Sequence, residues 1–227
     1  MGIHNEFEVR TIPEKQTHEW LRKKHYANRI PIIIHSFGIY DQDLTIQGVC
    51  TYGPPARMLN DGYGIFGNRY KVTVFELNRL VINEDLPKNI LSFFVAATFK
   101  LLPRPVCLVS YADSTVGHHG YIYQATNWLF TGMTATELMY HNKHTGETIH
   151  PRTVVQMFGT RKHNELPDWI EISKESSGKY RYVKFLGSKR EVKMMRSLMV
   201  YLIEPYPKGD NQRYDASYEP AVQNCLF

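Results

Sequence analysis

The sequence predicts an α/β fold, a mixed central sheet flanked by helices, with extra strands toward the C-terminus. Three observations predict it. Helix-type and strand-type hydrophobic patterns alternate along the chain, as they do when helices are laid on a sheet. The run 106–111 (VCLVSY) is continuously apolar, the composition of a strand buried on both faces. The chain has 227 residues, 43% hydrophobic and 22% charged, enough to bury a core without disulfides. No repeat, low-complexity tract or Ser/Gly linker interrupts it, so 1–227 reads as a single domain.

The elements follow in order. Residues 5–12 read as a short strand. Pro13 and Glu14 suit a helix start, and 14–26 is expected as an amphipathic helix anchored by Trp20 and Leu21. Residues 31–40 and 44–52, joined by Asp41-Gln42-Asp43, predict a hairpin. Gly53-Pro54-Pro55 ends it, and 56–70 reads as a loop. The alternating stretch 71–83 predicts a long strand, and Asp85 and Pro87 open a helix over 88–102. Pro103 and Pro105 stop that helix ahead of the strand 106–111. A short helix over 117–127 and a strand over 128–132 come next. Further strands are expected at 152–158, 168–173 and 179–185, and a last helix from Lys189 to about Met195.

Composition removes several classes. No apolar run approaches 18 residues, and the best stretch, 90–102, carries Lys100, so no membrane span is expected. The first residues hold no apolar signal core. Cys50, Cys107 and Cys225 are odd in number and widely spaced, which suits reduced thiols in a cytoplasm. Walker, Rossmann, nucleophile-elbow, Cys-x-x-Cys and zinc-deaminase motifs are all missing. The net charge of +5 is uneven: residues 151–200 hold 11 Lys+Arg against 5 Asp+Glu, while 1–150 hold 14 against 13. A local positive field attracts polyanions. Arg152, Arg161, Lys162, Lys179, Arg181, Lys184, Lys189 and Arg190 are the candidate phosphate contacts where the partner is a nucleic acid, double-stranded DNA if the resemblance given below holds, and a solvated basic face is the alternative.

The chemistry-bearing residues cluster after the buried strand. Asp113 is followed by His118, His119, Tyr121, Tyr123 and Gln124, a set able to move protons or bind a metal. Ligand sites in open α/β sheets collect at such strand ends. Glu76, Asn78 and Arg79 interrupt the strand 71–83, and His25 and Tyr26 close the first helix. Each has a structural alternative: Asp113 as a cap, Glu76 and Arg79 in a salt bridge, His25 on a helix dipole. His141, His144 and His150 read as surface histidines in a polar loop.

The element order resembles the GCN5-related acyltransferase fold. Several stretches are similar, more specifically, to the Mom proteins of bacteriophages: Lys24-His25-Tyr26, Glu76-Leu77-Asn78-Arg79-Leu80, Val109-Ser110-Tyr111-Ala112-Asp113, and the block from Gly117 to Trp128. The likeness spans about 14–135 and is most specific over 110–128. It implies a transferase that adds a carbamoylmethyl (acetamido) group to the N6 amine of adenine in DNA, protecting phage DNA from host restriction in the bacterial cytoplasm. It also implies catalytic roles for His25, Tyr26, Arg79, Asp113 and Tyr123, with Tyr123 as general acid, and extends to His118, His119 and Gln124. Acetyl-CoA or another acyl or glycyl donor, and iron, are the implied cofactors.

One stretch departs from the acyltransferase pattern. Where a glycine-rich loop holds the CoA pyrophosphate, residues 83–92 contain no glycine and carry Glu84 and Asp85. Arg79, Lys88, Asn89 and Ser92 are the donor-binding candidates there. The N6 lone pair is delocalised into the ring, and a bond to an alkyl carbon is not acyl transfer. A centre of Asp113 with His25, His118 and His119 around a metal suits that reaction. The alternatives are a conventional CoA-dependent N-acetyltransferase and a non-catalytic nucleic-acid-binding protein.

Overall fold

The computed structural model describes residues 3–56, 59, 62–114, 117–135, 138–149, 151–173, 178–209, 218 and 220. Cys225 and His150 lie outside them. A seven-stranded sheet is ordered β1-β2-β3-β4-β5-β10-β6. Its strands are β1 (Glu8–Thr11), β2 (His35–Tyr40), β3 (Ile46–Gly53), β4 (Val74–Ile82), β5 (Val106–Asp113), β6 (Leu129–Met133) and β10 (Lys179–Leu186). All neighbours are antiparallel except β4 and β5. A second, three-stranded sheet, β8-β7-β9, is built from β7 (Met139–Asn142), β8 (Thr148–Ile149) and β9 (Ile170–Ser173). The expected mixed α/β architecture is present.

Two features of the large sheet make the site. β4 pairs with β5 only from Val74–Glu76 against Cys107–Val109, and both strands run on beyond that. Their carboxyl halves therefore separate. Opposite β3, Asn78 is an extra residue, because Tyr52 pairs with Leu77 and Thr51 with Arg79. Such a bulge re-aims the side chains that follow. Asn78 is tied down there, accepting from Thr51 Oγ1 (2.6 Å) and donating to Ile32 O (3.1 Å).

Helices cover both faces. Helix α3 (Ile90–Leu101) buries Ile90, Phe94, Val95 and Phe99 against Phe37, Tyr52, Leu77 and Leu108 on one face. Helix α6 (Lys189–Leu198) buries Met195 against Val74, Cys107, Val109, Val183 and Phe185 on the other. Alternation along β5 serves both, which is why 106–109 is apolar throughout. Cys50 and Cys107 lie inside this core, and burial pushes the Cys50 thiol up to about 12.

Several expectations are corrected. Residues 152–158 are not a strand but helix α5 (Pro151–Phe158). Pro151 suits a first helical position, and Val154 and Phe158, four apart, pack with Tyr140, Leu166 and Ile170 as a small separate core. Residues 14–24 do not form a regular α-helix: a 3₁₀ turn, Glu14–Thr17, leads into a π-type turn, Trp20–Lys24, with Trp20 and Leu21 buried as expected. The loop at 56–70 contains the short helix α2 (Tyr63–Phe66). Ile3–Glu6 forms helix α1, so the first strand is only β1.

Candidate active site

The separated ends of β4 and β5 leave a cleft of about 740 Å³. Its walls are β4 from Leu77 to Ile82, the turn into α3 from Asn83 to Ser92, Tyr111 and Ala112 of β5, and helix α4 (Tyr121–Ala125). His25, Tyr26 and His118 close one side. Of the residues singled out in the sequence, His25, Tyr26, Arg79, Lys88, Asn89, Ser92, His118 and Tyr123 therefore share one cavity. Asp113 stands at its edge beside Tyr26, whose phenol is pushed up first by burial and then by the Asp113 charge. Lys179 Nζ lies 3.5 Å from Asp113 Oδ2. His119 and Gln124 do not line the cleft. His119 stacks on Tyr180, and the Gln124 amide sits among His119 O, Tyr182 Oη and Pro207 O.

His25 is buried, and its pKa is pushed down to about 3 by that burial and by Arg79 and His118 nearby. Its ring stacks on Tyr26 (4.5 Å). The backbone N–H of Ala27 donates to Nδ1 (3.1 Å), so the neutral ring carries its proton on Nε2. His25 is thus held as a hydrogen-bond donor at Nε2.

Tyr123 is buried, and burial holds its phenol far above the usual tyrosine range. Ser110 Oγ lies 2.7 Å from Tyr123 Oη and 2.8 Å from Leu77 O. Ser110 is the donor toward both, with a single proton to share between the phenol oxygen and the carbonyl. Ser110 entered the sequence reading only within a matching stretch and without a role, because nothing distinguishes it from an ordinary buried serine. Arg79 is half-buried, and burial and then Arg29 lower its pKa. Its Nη1 donates to Asn78 O (2.6 Å), and its buried Nε has no partner among the described residues.

At the mouth of α3, the missing glycines are replaced. Asp85 (φ 61°) and Asn89 (φ 70°) take the left-handed conformation that glycine usually supplies. No side chain caps α3; the Ile90 amide is taken by Pro87 O (3.1 Å) and the Ser92 hydroxyl by Asn89 O (2.8 Å), and the amides of Leu91 and Ser92 stand on the cleft side with Lys88. That amino end fits the diphosphate of a CoA-type donor.

The metal expectation is corrected. Among the described residues, no three His, Cys, Asp or Glu side chains gather as a group able to hold a metal ion. The reason is local: His25 Nδ1 is occupied by Ala27, His119 is turned onto Tyr180, and Asp113 faces Lys179. Asp113, His25, His118 and His119 do not fit an iron centre in this arrangement.

The expected DNA-contact set is divided. Arg161 and Lys162 follow α5 at the small sheet, with Lys162 on Glu165 (2.9 Å). The Arg152 side chain lies outside the described residues. Arg181 donates to Thr131 and lies over the Tyr201 ring (3.5 Å), and Lys184 donates to the carbonyls of Thr126 and Asn127. Lys189 and Arg190 are exposed on α6.

Comparison with known proteins places these features. The model of the Mom protein family matches residues 6–208. The chain is 26% identical over 216 residues to the "Methylcarbamoylase mom" of Escherichia phage Mu, covering 89% of this chain and 84% of that protein. Similar solved structures include a putative acetyltransferase of Acinetobacter baylyi ADP1 (TM-score 0.45, 11% identity, 79% of this chain and 93% of that one). Another is Arabidopsis thaliana NAA60 in complex with acetyl-CoA (TM-score 0.41, 13% identity, 79% and 98%).

Proposed function

The chain belongs to the Mom protein family, and from that membership we propose that it is a transferase acting on phage DNA. It adds a carbamoylmethyl group to the N6 amine of adenine in the host cytoplasm, protecting that DNA from restriction. One observation carries the reading: residues from four separate segments, His25 and Tyr26, Arg79, His118, and Tyr123, meet in one cleft with Asp113 at its edge. The relative from phage Mu, by its name a methylcarbamoylase, supports transfer of a small carbamoyl-containing group.

Each residue has a task its surroundings suit. Asp113 takes the proton released by the adenine amine as the N–C bond forms. The unsatisfied Nε of Arg79 binds the donor's carbonyl or anionic group. His25 donates from Nε2 to charge developing on that group without a change of protonation. Tyr123, un-ionised and held by Ser110, supplies a proton to the departing group. The donor would carry the carbamoylmethyl group on a leaving group, N6 bonding to its CH2 carbon as the bond from that carbon to the leaving group breaks, and Lys88, Asn89 and Ser92 at the α3 amino end would hold the diphosphate of a donor of CoA type. The target base leaves the duplex stack to reach the cleft.

Mass spectrometry of nucleosides from plasmid DNA co-expressed with the protein tests this. The wild type is expected to yield carbamoylmethyl-adenine. Asp113→Asn and Arg79→Lys are each expected to lower it by roughly 100-fold or more. Unaltered adenine with the wild type overturns the reading. Full modification by Asp113→Asn removes that residue from the proton step.

A further inference from the structure

We propose that the outward face of α6 is the surface that grips the sugar-phosphate backbone of duplex DNA, and the proposal rests on DNA being the acceptor. The basic excess of 151–200 is concentrated in the structure. Residues 151–178, which form α5 and the small sheet's β9, hold four Lys+Arg and four Asp+Glu. Residues 179–200, which form β10 and α6, hold seven against one. The three cations of β10 are engaged: Lys179 with Asp113, Arg181 with Thr131 and Tyr201, Lys184 with two carbonyls. The four on α6, Lys189, Arg190, Lys193 and Arg196, are exposed and make no ion pair or hydrogen bond among the described residues.

Their arrangement is a row. Lys189, Lys193 and Arg196 share one helix face and border a groove of about 410 Å³ with Gly187 and Val192. At 1.5 Å per residue the row spans about 10 Å. The helix's one acid, Glu191, is folded back onto Ser188 as a capping box, so it does not neutralise the row. Stability gives no reason for such charges. Lys189 and Arg190 sit at the end of the dipole that disfavours cations, and Lys189 and Lys193 repel at i,i+4.

The row also lies on the side an acceptor needs. α6 packs in the same cluster as Tyr111, which lines the cleft. Alternation along β5 puts Asp113 on the Tyr111 side, and Ser110 with Tyr123 on the α3 side. The sheet therefore separates the donor's helix from the basic row, and the cleft joins the two faces.

Anisotropy of a labelled DNA duplex, titrated at several salt concentrations, tests the proposal. Each phosphate that the protein no longer neutralises lowers the slope of log K against log salt by about 0.9. The triple variant K189Q/K193Q/R196Q is expected to lower the slope by about 2.7. K189R/K193R is expected to retain the slope, as is the control K15Q/K100Q on other exposed lysines. Thermal melting of each variant establishes that it is folded. A folded triple variant with the wild-type slope overturns the α6 surface and leaves DNA as acceptor. A wild type with no salt-dependent binding overturns both.

Discussion

At the residue scale, protonation decides what each group can do. Ser110 Oγ is placed to donate to Tyr123 Oη or to Leu77 O, and keeps the carbonyl when the phenol is removed. Tyr123→Phe therefore strands no buried donor, and we expect the melting temperature to change little while modification falls about 100-fold. A proportionate loss of both would make the phenol structural. His25 is buried neutral, with a folded pKa near 3 against 6.5 in the open chain. The unfolded chain then binds more protons between these values, so stability is intact above pH 6.5 and is lost as pH falls toward 3. The full effect is on the order of a few kcal/mol. Acid titration of the melting temperature should show this loss, flattened in His25→Gln. Candidate identities were legible because Asp, His, Arg and Tyr are conspicuous beside an apolar strand. Their protonation was not, because it depends on Ala27, Ser110 and Leu77, which carry no chemical signal of their own.

At the element scale, caps and turns set where those side chains stand. α4 begins at Gly120 with φ 76°, and a Cβ there would collide with the Tyr182 ring. Gly120→Ala is expected to cost more than about 2 kcal/mol and to displace Tyr123, measurable by denaturant unfolding and by activity. Ser188→Ala removes the α6 capping box and should cost about 1 kcal/mol by the same measurement, without touching the cleft. The main sheet's elements were readable because period and punctuation agreed. Residues 151–158 were not: Thr153, Val154 and Val155 favour a strand, yet the segment buries Val154 and Phe158 along one helical face. Local preference yielded to a tertiary packing surface that a single sequence does not display.

At the scale of the whole molecule, two cores serve different purposes. The large sheet carries the cleft, while Tyr140, Val154, Leu166 and Ile170 form a small core between β6 and β10. Val154 is fully buried there, so Val154→Asp is expected to open the small core by placing an unpaired charge in it. Amide exchange should then accelerate over residues 139–173 and stay slow over 74–113. Acceleration in both would show that the two cores unfold together. The excess charge also resolves at this scale. What reads as a basic segment of fifty residues is a neutral insertion followed by a basic strand, whose cations are engaged, and a basic helix, whose cations are exposed.

The sequence by itself determined the alternation of helix and strand, the doubly buried β5, and the kinds of side chain available for catalysis. These are local properties, carried by period, punctuation and residue type. Tertiary structure decided which of them meet. The parting of β4 and β5 beyond Glu76 and the bulge at Asn78 brought His25, Arg79 and Tyr123 to one cleft and left His119 outside it. The same long-range packing kept the four metal candidates from gathering as a metal-holding group among the described residues and put the uncompensated cations on α6. Distances between residues far apart in the chain are fixed by how elements pack, and that is written in no single segment.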